Sequence, residues 1–293
     1  MLAQQLANGI VSGAIYALFA LGFTLMFGVL GVINLTYGVY FSAGAMVALF
    51  ATTWARLPIA LAIPLAGVTT GLAAIVVDGL LLTPLRRARA PELASLMVTL
   101  GATLLLYSVA SAVLGTDIRR FPQNVFEGSV FTLGGVRISE SQVLIMGAAV
   151  IAVVCLIYVM QATRLGLAIR ALAENSDAAE LMGVPTETIV RIVSFASGAL
   201  GGVAGVLIGL NSDAIEPYMG ESMMLKGFAV IVLGGLGDIR GALIAGLLIG
   251  VLETLTAGYL SSSLKDAVGF ILLVLTLWIR PAGLFGRTLA RRA

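Results

Sequence analysis

A chain of 293 residues with 59% hydrophobic and only 11% charged side chains is not a soluble globular domain, where about a quarter of residues are charged; its net charge of +2 gives no grounds for a nucleic-acid partner. Histidine is absent and Cys155 is the single cysteine, which removes an internal disulfide framework and the usual zinc, haem and histidine-based catalytic arrangements. The mean hydropathy of +1.06 and the 35 glycines fit an integral membrane protein with no metal site and no cofactor, because small residues let membrane helices approach closely.

A bilayer-spanning helix needs about 20 mostly apolar residues. Such runs occupy 8–30, 35–55, 58–83, 93–115, 142–162, 187–210, 241–260 and 265–280, with a shorter glycine-broken run at 223–236. The predicted fold is all-α: a polytopic membrane protein of about eight transmembrane helices with discontinuous segments, forming one domain over 1–293. The first run reads as a retained span, since MLAQQLANG has no positive charge and no cleavage-site pattern follows.

Taken in chain order, the first run carries Gly9 and Gly13, four apart on one helix face and suited to close helix contact. Asn34 follows it in VLGVINLTYG, between glycine-flanked segments, where it could serve a passage or simply the packing. Asp78 sits within the third run. A charge in hydrocarbon is costly, so Asp78 and, later, Glu253 either face a cavity or hydrogen-bond between helices and at headgroups.

Lys and Arg in short loops set the orientation. Arg86, Arg87 and Arg89 mark one cytoplasmic loop, Arg164 and Arg170 a second, and Arg287, Arg291 and Arg292 the C-terminus. These agree if 223–236 crosses, placing Asp238 and Arg240 on the cytoplasmic face and the N-terminus outside. The 116–141 loop runs against the rule with Arg119, Arg120 and Arg137, partly balanced by Asp117, Glu127 and Glu140.

Between the spans ending near 162 and starting near 187 lies RLGLAIRALAENSDAAELMGVP, which gathers two arginines, two glutamates and an aspartate on alanine-rich helix. Arg164 to Glu174 reads as one helix with Leu165, Ile169 and Leu172 on a side. Asn175-Ser176 breaks it, and Asp177 with Glu180 forms a capping-box signature for a second helix ending at Gly183, before Pro185. The pair is either a docking knob or an amphipathic element lying on the bilayer, although its acidic residues and few basic ones suit an anionic surface poorly.

Further on, GALGGVAGVLIG and GLLIG repeat the four-residue glycine spacing. VLGGLGDIRGALIAG (232–246) interrupts an apolar run with Gly234, Gly235 and Gly237 before Asp238. It reads as a discontinuous helix pair lining a cavity or as a tight turn, and VLGVINLTYG resembles it loosely. The only lysines, Lys226 and Lys265, follow leucine, so no Walker phosphate loop exists and any uphill transport draws on an ion gradient or on a separate ATPase.

NGIVSGAIYALFALGFTLMFGVLGVINLTYGVYFSAGAMVA, RLGLAIRALAENSDAAELMGV, EPYMGESMMLKGFAVIVLGGLGDIRGALIAGLLIGVLETL and LKDAVGFILLVLTLWIRPAGLFGR together resemble the permease subunits of bacterial branched-chain amino-acid ABC importers, in particular the shorter of the two permeases. The likeness runs from about residue 8 to residue 286. It implies a transport subunit in the bacterial inner membrane, not itself an enzyme. Its partners would be a second homologous permease, two cytoplasmic ATP-binding subunits and a periplasmic substrate-binding protein. It further implies that 163–186 is the loop contacting the ATPase, through Gly166, Arg170, Ala171, Glu174, Asn175, Ala178, Ala179 and Gly183, and that the passage lies near Asn34, Gly38, Gly234, Gly235 and Gly237. Permeases for urea and short amides share these motifs, and more distant sugar and nucleoside permeases share the layout, so the substrate stays open between them. An ion-coupled secondary transporter relying on Asp78 or Glu253 is the other alternative.

Overall fold

A computed structural model of the chain describes residues 1–88, 90–122, 130–133, 136–280 and 283–285. Arg89, Glu127, Arg287, Arg291 and Arg292, used above as topology signals or their balance, lie outside them.

The elements are α1 (Leu2–Leu30), α2 (Tyr37–Thr53), α3 (Ile59–Val77) continued by a π-turn (Asp78–Leu82) into α4 (Thr83–Arg87), and α5 (Glu92–Leu114). A hairpin of β1 (Val130–Leu133) and β2 (Val136–Ser139) leads to α6 (Glu140–Ala162), then α7 (Arg164–Glu174), α8 (Ser176–Leu181), α9 (Thr186–Ser212), α10 (Met219–Gly234), α11 (Ile239–Tyr259) and α12 (Lys265–Ile279). Among the described residues, seven helical segments are long and apolar enough to cross a membrane, and α2 is a shorter apolar one. The all-α polytopic fold is therefore the one expected.

The helices close on glycine. A Cβ on Gly13 would strike the backbone of Leu247, and one on Gly250 the backbone of Gly13, so α1 and α11 touch main chain to main chain. Gly205 likewise meets Phe41 of α2, and Gly198 meets Thr70 and Ala74 of α3. The glycine rows read from the sequence are thus contact faces, as expected where packing and not water drives helix association. The centre is α1, fully buried from Val11 to Met26. In contrast, α5 and α12 lie at the periphery with Leu104, Leu105, Trp278 and Ile279 outward.

The break after α1 is deeper than a surface turn. Gly31, at φ 67, ends the helix. The Tyr37 hydroxyl donates to the Phe19 carbonyl oxygen at 2.9 Å, and its ring lies 4.7 Å from Phe19 and 5.4 Å from Phe23. Phe19 precedes the end of α1 by eleven residues, about 16 Å of helix. The chain therefore climbs back through 31–36 and α2 starts beside the middle of α1. The full crossing expected over 35–55 is a 17-residue helix with its N-terminus inside the bundle. The N-terminus of α10, a helix of 16 residues, meets it there, since Gly38 and Gly220 touch backbone to backbone.

Two ends can be distinguished. At one, Arg87 forks onto Glu187 at 2.7 and 2.9 Å, Gly28 comes against Gly237, and Leu284 and Phe285 donate to the carbonyls of Leu233 and Gly234. At the other, Gln4 brackets the Arg137 peptide at 2.8 and 2.9 Å, and residue 119 bridges Ile215. Loops 83–88, 163–186 and 235–238 thus share one end, opposite the N-terminus. The arginines that ran against the rule are tied locally: Arg119 donates to the Leu114 carbonyl and lies over the Phe50 ring, and Arg120 approaches Asp213 at 3.8 Å.

Candidate functional site

The charged stretch forms the two expected short helices, with altered details. Thr163 caps α7 by accepting the Gly166 N–H at 3.1 Å. The second cap is Asn175, which accepts the Ala178 N–H at 2.9 Å, so α8 begins at Ser176 and Asp177 sits in its first turn. The expected Asp177 cap is corrected accordingly: Asn is as good a cap as Asp, and it comes first. The buried side of α7 is Gly166, Ile169 and Leu172, while Leu165 is exposed. That side packs on α6, α1 and α9, so the apolar stripe is covered by protein and not by lipid. Burying Ile169 and Leu172 is worth about 1.5–3 kcal/mol each.

The eight residues assigned to ATPase contact divide by environment. Gly166 is buried where a Cβ would strike the carbonyls of Val159 and Met160, and Ala179 is buried beneath α8. The Arg170 guanidinium donates to the Met160 carbonyl, which ties α7 back to the end of α6. Ala171 is half-buried, whereas Glu174, Asn175, Ala178 and Gly183 are exposed. Beside them Leu181 and Met182 stand 88% and 86% exposed, an apolar tip too exposed to contribute to folding.

Asp78 and Glu253 are both paired. Asp78 is fully buried in the π-turn and receives the Arg86 guanidinium at 2.9 and 3.0 Å, with Thr83 at 3.4 Å. Glu253 is fully buried on α11. Its Oε2 accepts from the Tyr16 hydroxyl at 2.8 Å and from Lys226 Nζ at 3.0 Å, while its Oε1 has no hydrogen-bond partner among the described residues. Lys226 also reaches Asp266 on α12 at 2.8 Å and lies over the Tyr16 ring. One ammonium therefore links α1, α10, α11 and α12.

Asn34 is buried and structural in its contacts: its Oδ1 accepts the Thr36 N–H at 3.0 Å and the Thr36 hydroxyl at 2.6 Å, holding the climb into α2. Gly38 lies at the α2/α10 crossing. Gly234, Gly235 and Gly237 form the turn from α10 to α11, with Gly235 at φ 107 and Gly237 at φ 86. Asp238 caps α11 through the Gly241 N–H at 2.8 Å. The discontinuity expected at 232–246 is thus built as a tight turn, and the interior helix start is found at 31–36 instead.

The sequence marks Arg86 only as a topology signal and Lys226 only as lacking a phosphate-loop context, and Thr36 does not stand out. An acid in an apolar run signals that a cation is needed, yet the cation for Glu253 lies on another helix, 27 residues away. The opening between the outer ends of α1, α6, α9 and α11 is a polar cavity of about 350 Å³ lined by Gln5, Asn8, Gln142 and Asn211 among others.

Comparison with known proteins finds likeness along nearly the whole chain. The family model described as branched-chain amino acid transport system / permease component matches residues 5–277. The chain is 32% identical to the high-affinity branched-chain amino acid transport system permease protein LivH of Escherichia coli K12, covering 97% of this chain and 95% of that protein. It is also 32% identical, with the same coverage, to BraD of Pseudomonas aeruginosa, which bears the same description. Among solved structures, PsaBC from Streptococcus pneumoniae in complex with Fab matches with a TM-score of 0.51 at 12% identity, covering 94% of this chain and 91% of that one, a likeness of fold.

Proposed function

Because the chain belongs to the family of branched-chain amino acid transport system permease components, we propose that it imports branched-chain amino acids as the shorter permease of an ATP-driven complex. Its partners are a second homologous permease, two cytoplasmic ATP-binding subunits and a periplasmic substrate-binding protein. The observation that carries this reading is the match over nearly the whole length to relatives named for that transport. Residues 1–293 act as one permease domain, with the N-terminus outside and the C-terminus cytoplasmic, so that 83–88, 163–186 and 235–238 face the ATPases.

Within that assembly the α7–α8 pair is the coupling element. Its exposed Glu174, Asn175, Ala178, Leu181, Met182 and Gly183 meet the ATPase, while Gly166, Arg170 and Ala179 hold the pair rigidly on the bundle. Closure of the ATPases then moves the pair as a body. Specificity rests with the binding protein, and the passage needs only weak contacts.

The test is reconstitution. Tagged chain expressed with its neighbouring genes should co-purify with an ATPase, and the complex in liposomes should take up leucine only with ATP and the binding protein. Leucine uptake by the isolated chain, driven by an ion gradient, would overturn the reading in favour of a secondary transporter; uptake of urea in place of leucine would overturn the substrate.

A further inference from the structure

The crossing of α2 and α10 is unusual in what it leaves unpaired. Both helices begin in the interior, and helix N-termini carry partial positive charge. Ser42 Oγ accepts the Gly220 N–H at 2.9 Å, and its own donor reaches the Gly38 carbonyl only at 3.5 Å, the outer limit of a hydrogen bond. From the peripheral helix α5, Tyr107 inserts at this point. Its hydroxyl lies where Cβ atoms on Gly38 and Gly220 would be 2.9 and 2.6 Å away, so only glycine at both positions admits it.

That hydroxyl is buried, with Tyr107 4% exposed, and among the described residues it forms no hydrogen bond of normal geometry, the Ser42 hydroxyl being its nearby polar neighbour. Buried polar groups in native proteins are paired in the great majority of cases, so the exception calls for a partner. The other hydroxyls on the same face of α5 differ: Thr99, Thr103 and Ser111 donate to carbonyls of their own helix. The Tyr107 ring packs 5.3 Å from that of Tyr218, whose hydroxyl pairs with Ser111 at 3.2 Å. Glu221, in the first turn of α10, is exposed and forms no ion pair among the described residues.

We propose that this crossing is the point in the passage where the charged backbone of a travelling amino acid is held, its carboxylate taken by the Tyr107 and Ser42 hydroxyls at the N-terminus of α10 and its ammonium by Glu221. Discontinuous helices whose N-termini face an anionic group at mid-membrane are a sound physical solution, because the dipole stabilises charge without burying a counter-ion. In the state described here Tyr107 and Tyr218 close the crossing, and α5 is the element placed to swing, because it lies at the periphery with most of its surface outward and meets the bundle mainly at α2, the π-turn and Tyr218. The site rests on the permease reading and refines it: a neutral amide would need neither the dipole nor Glu221.

The complete importer in proteoliposomes tests this. Tyr107→Phe keeps the ring and its contact with Tyr218 while removing the hydroxyl; leucine imported per ATP hydrolysed should fall by about tenfold, with the melting temperature of the complex unchanged. In a Cys155→Ser background, Tyr107→Cys should react with a water-soluble thiol reagent during turnover and be protected by leucine. Undiminished transport by Tyr107→Phe overturns the site; so does reaction that leucine does not slow. A wild-type complex that hydrolyses ATP but takes up no leucine defeats the importer reading first, and the two failures are thereby told apart.

Discussion

Replacing Lys226 by methionine tests what holds the bundle together across four helices. Among the described residues the ammonium is the only cation on Glu253, whose carboxylate is fully buried and keeps just the Tyr16 hydroxyl there once Lys226 is gone. Removing one partner of a buried pair costs about 3–5 kcal/mol, since the remaining charge is left uncompensated. Glu253→Gln should cost less, about 1–3 kcal/mol, because Lys226 retains Asp266 at 2.8 Å and 16% exposure of its side chain. The double variant buries no charge and should recover at least about 2 kcal/mol of the summed losses. Melting of the purified chain or complex in detergent reads the ranking. At about 2–4 °C per kcal/mol, Lys226→Met should melt roughly 6–20 °C lower, with Glu253→Gln between it and wild type. Additive losses would refute the coupling.

Glu174→Arg should leave the melting temperature within about 1–2 °C of wild type, since the residue is exposed and unpaired among the described residues, but should reduce the ATPase recovered by pull-down. Asn175→Ala removes the α8 cap and should cost about 1 kcal/mol locally, seen as faster amide exchange over 176–182 with the spans unaffected. Gly250→Val forces a side chain into the Gly13 backbone; folded yield in the membrane should collapse, and a Val variant assembling at wild-type level would show that the α1/α11 contact is not as close as described.

The spans and their glycine faces were legible because both are local: hydropathy over about 20 residues and a four-residue spacing are properties of one helix. Caps were half legible. Asn175 and Asp177 both satisfy a start signal two residues apart, and only the Ala178 N–H in place decides for Asn175. Helical spacing puts Leu165 on one side with Ile169 and Leu172, whereas the tight turn from α6 puts Gly166 inward and leaves Leu165 exposed. The interior start of α2 was not legible, because an apolar run says that a segment lies in the membrane and not at what depth it begins. Lys226 was judged only as a phosphate ligand, and its pairing with Glu253 requires two helices to be placed side by side.

The placement of α9 links the two functional proposals mechanically. The coupling pair ends in Val184 and Pro185, and Pro185 accepts the first backbone bond of α9, from the Thr188 N–H, at 3.0 Å. From there the glycines of α9 bear closely on α2: Gly202 meets Gly44, Gly205 meets the Phe41 backbone, and Gly201 lies under the Tyr37 ring. The Gly202–Gly44 and Gly205–Phe41 backbone contacts leave no side chain between the helices to absorb a displacement, so α9 and α2 move together or separate. The N-terminus of α2 is one half of the crossing at Gly38 and Gly220, and the other half belongs to α10, which is held on the opposite side by Lys226. A push on α8 therefore falls on one partner of the crossing while the other stays anchored, which is the relative motion a gate at Tyr107 requires.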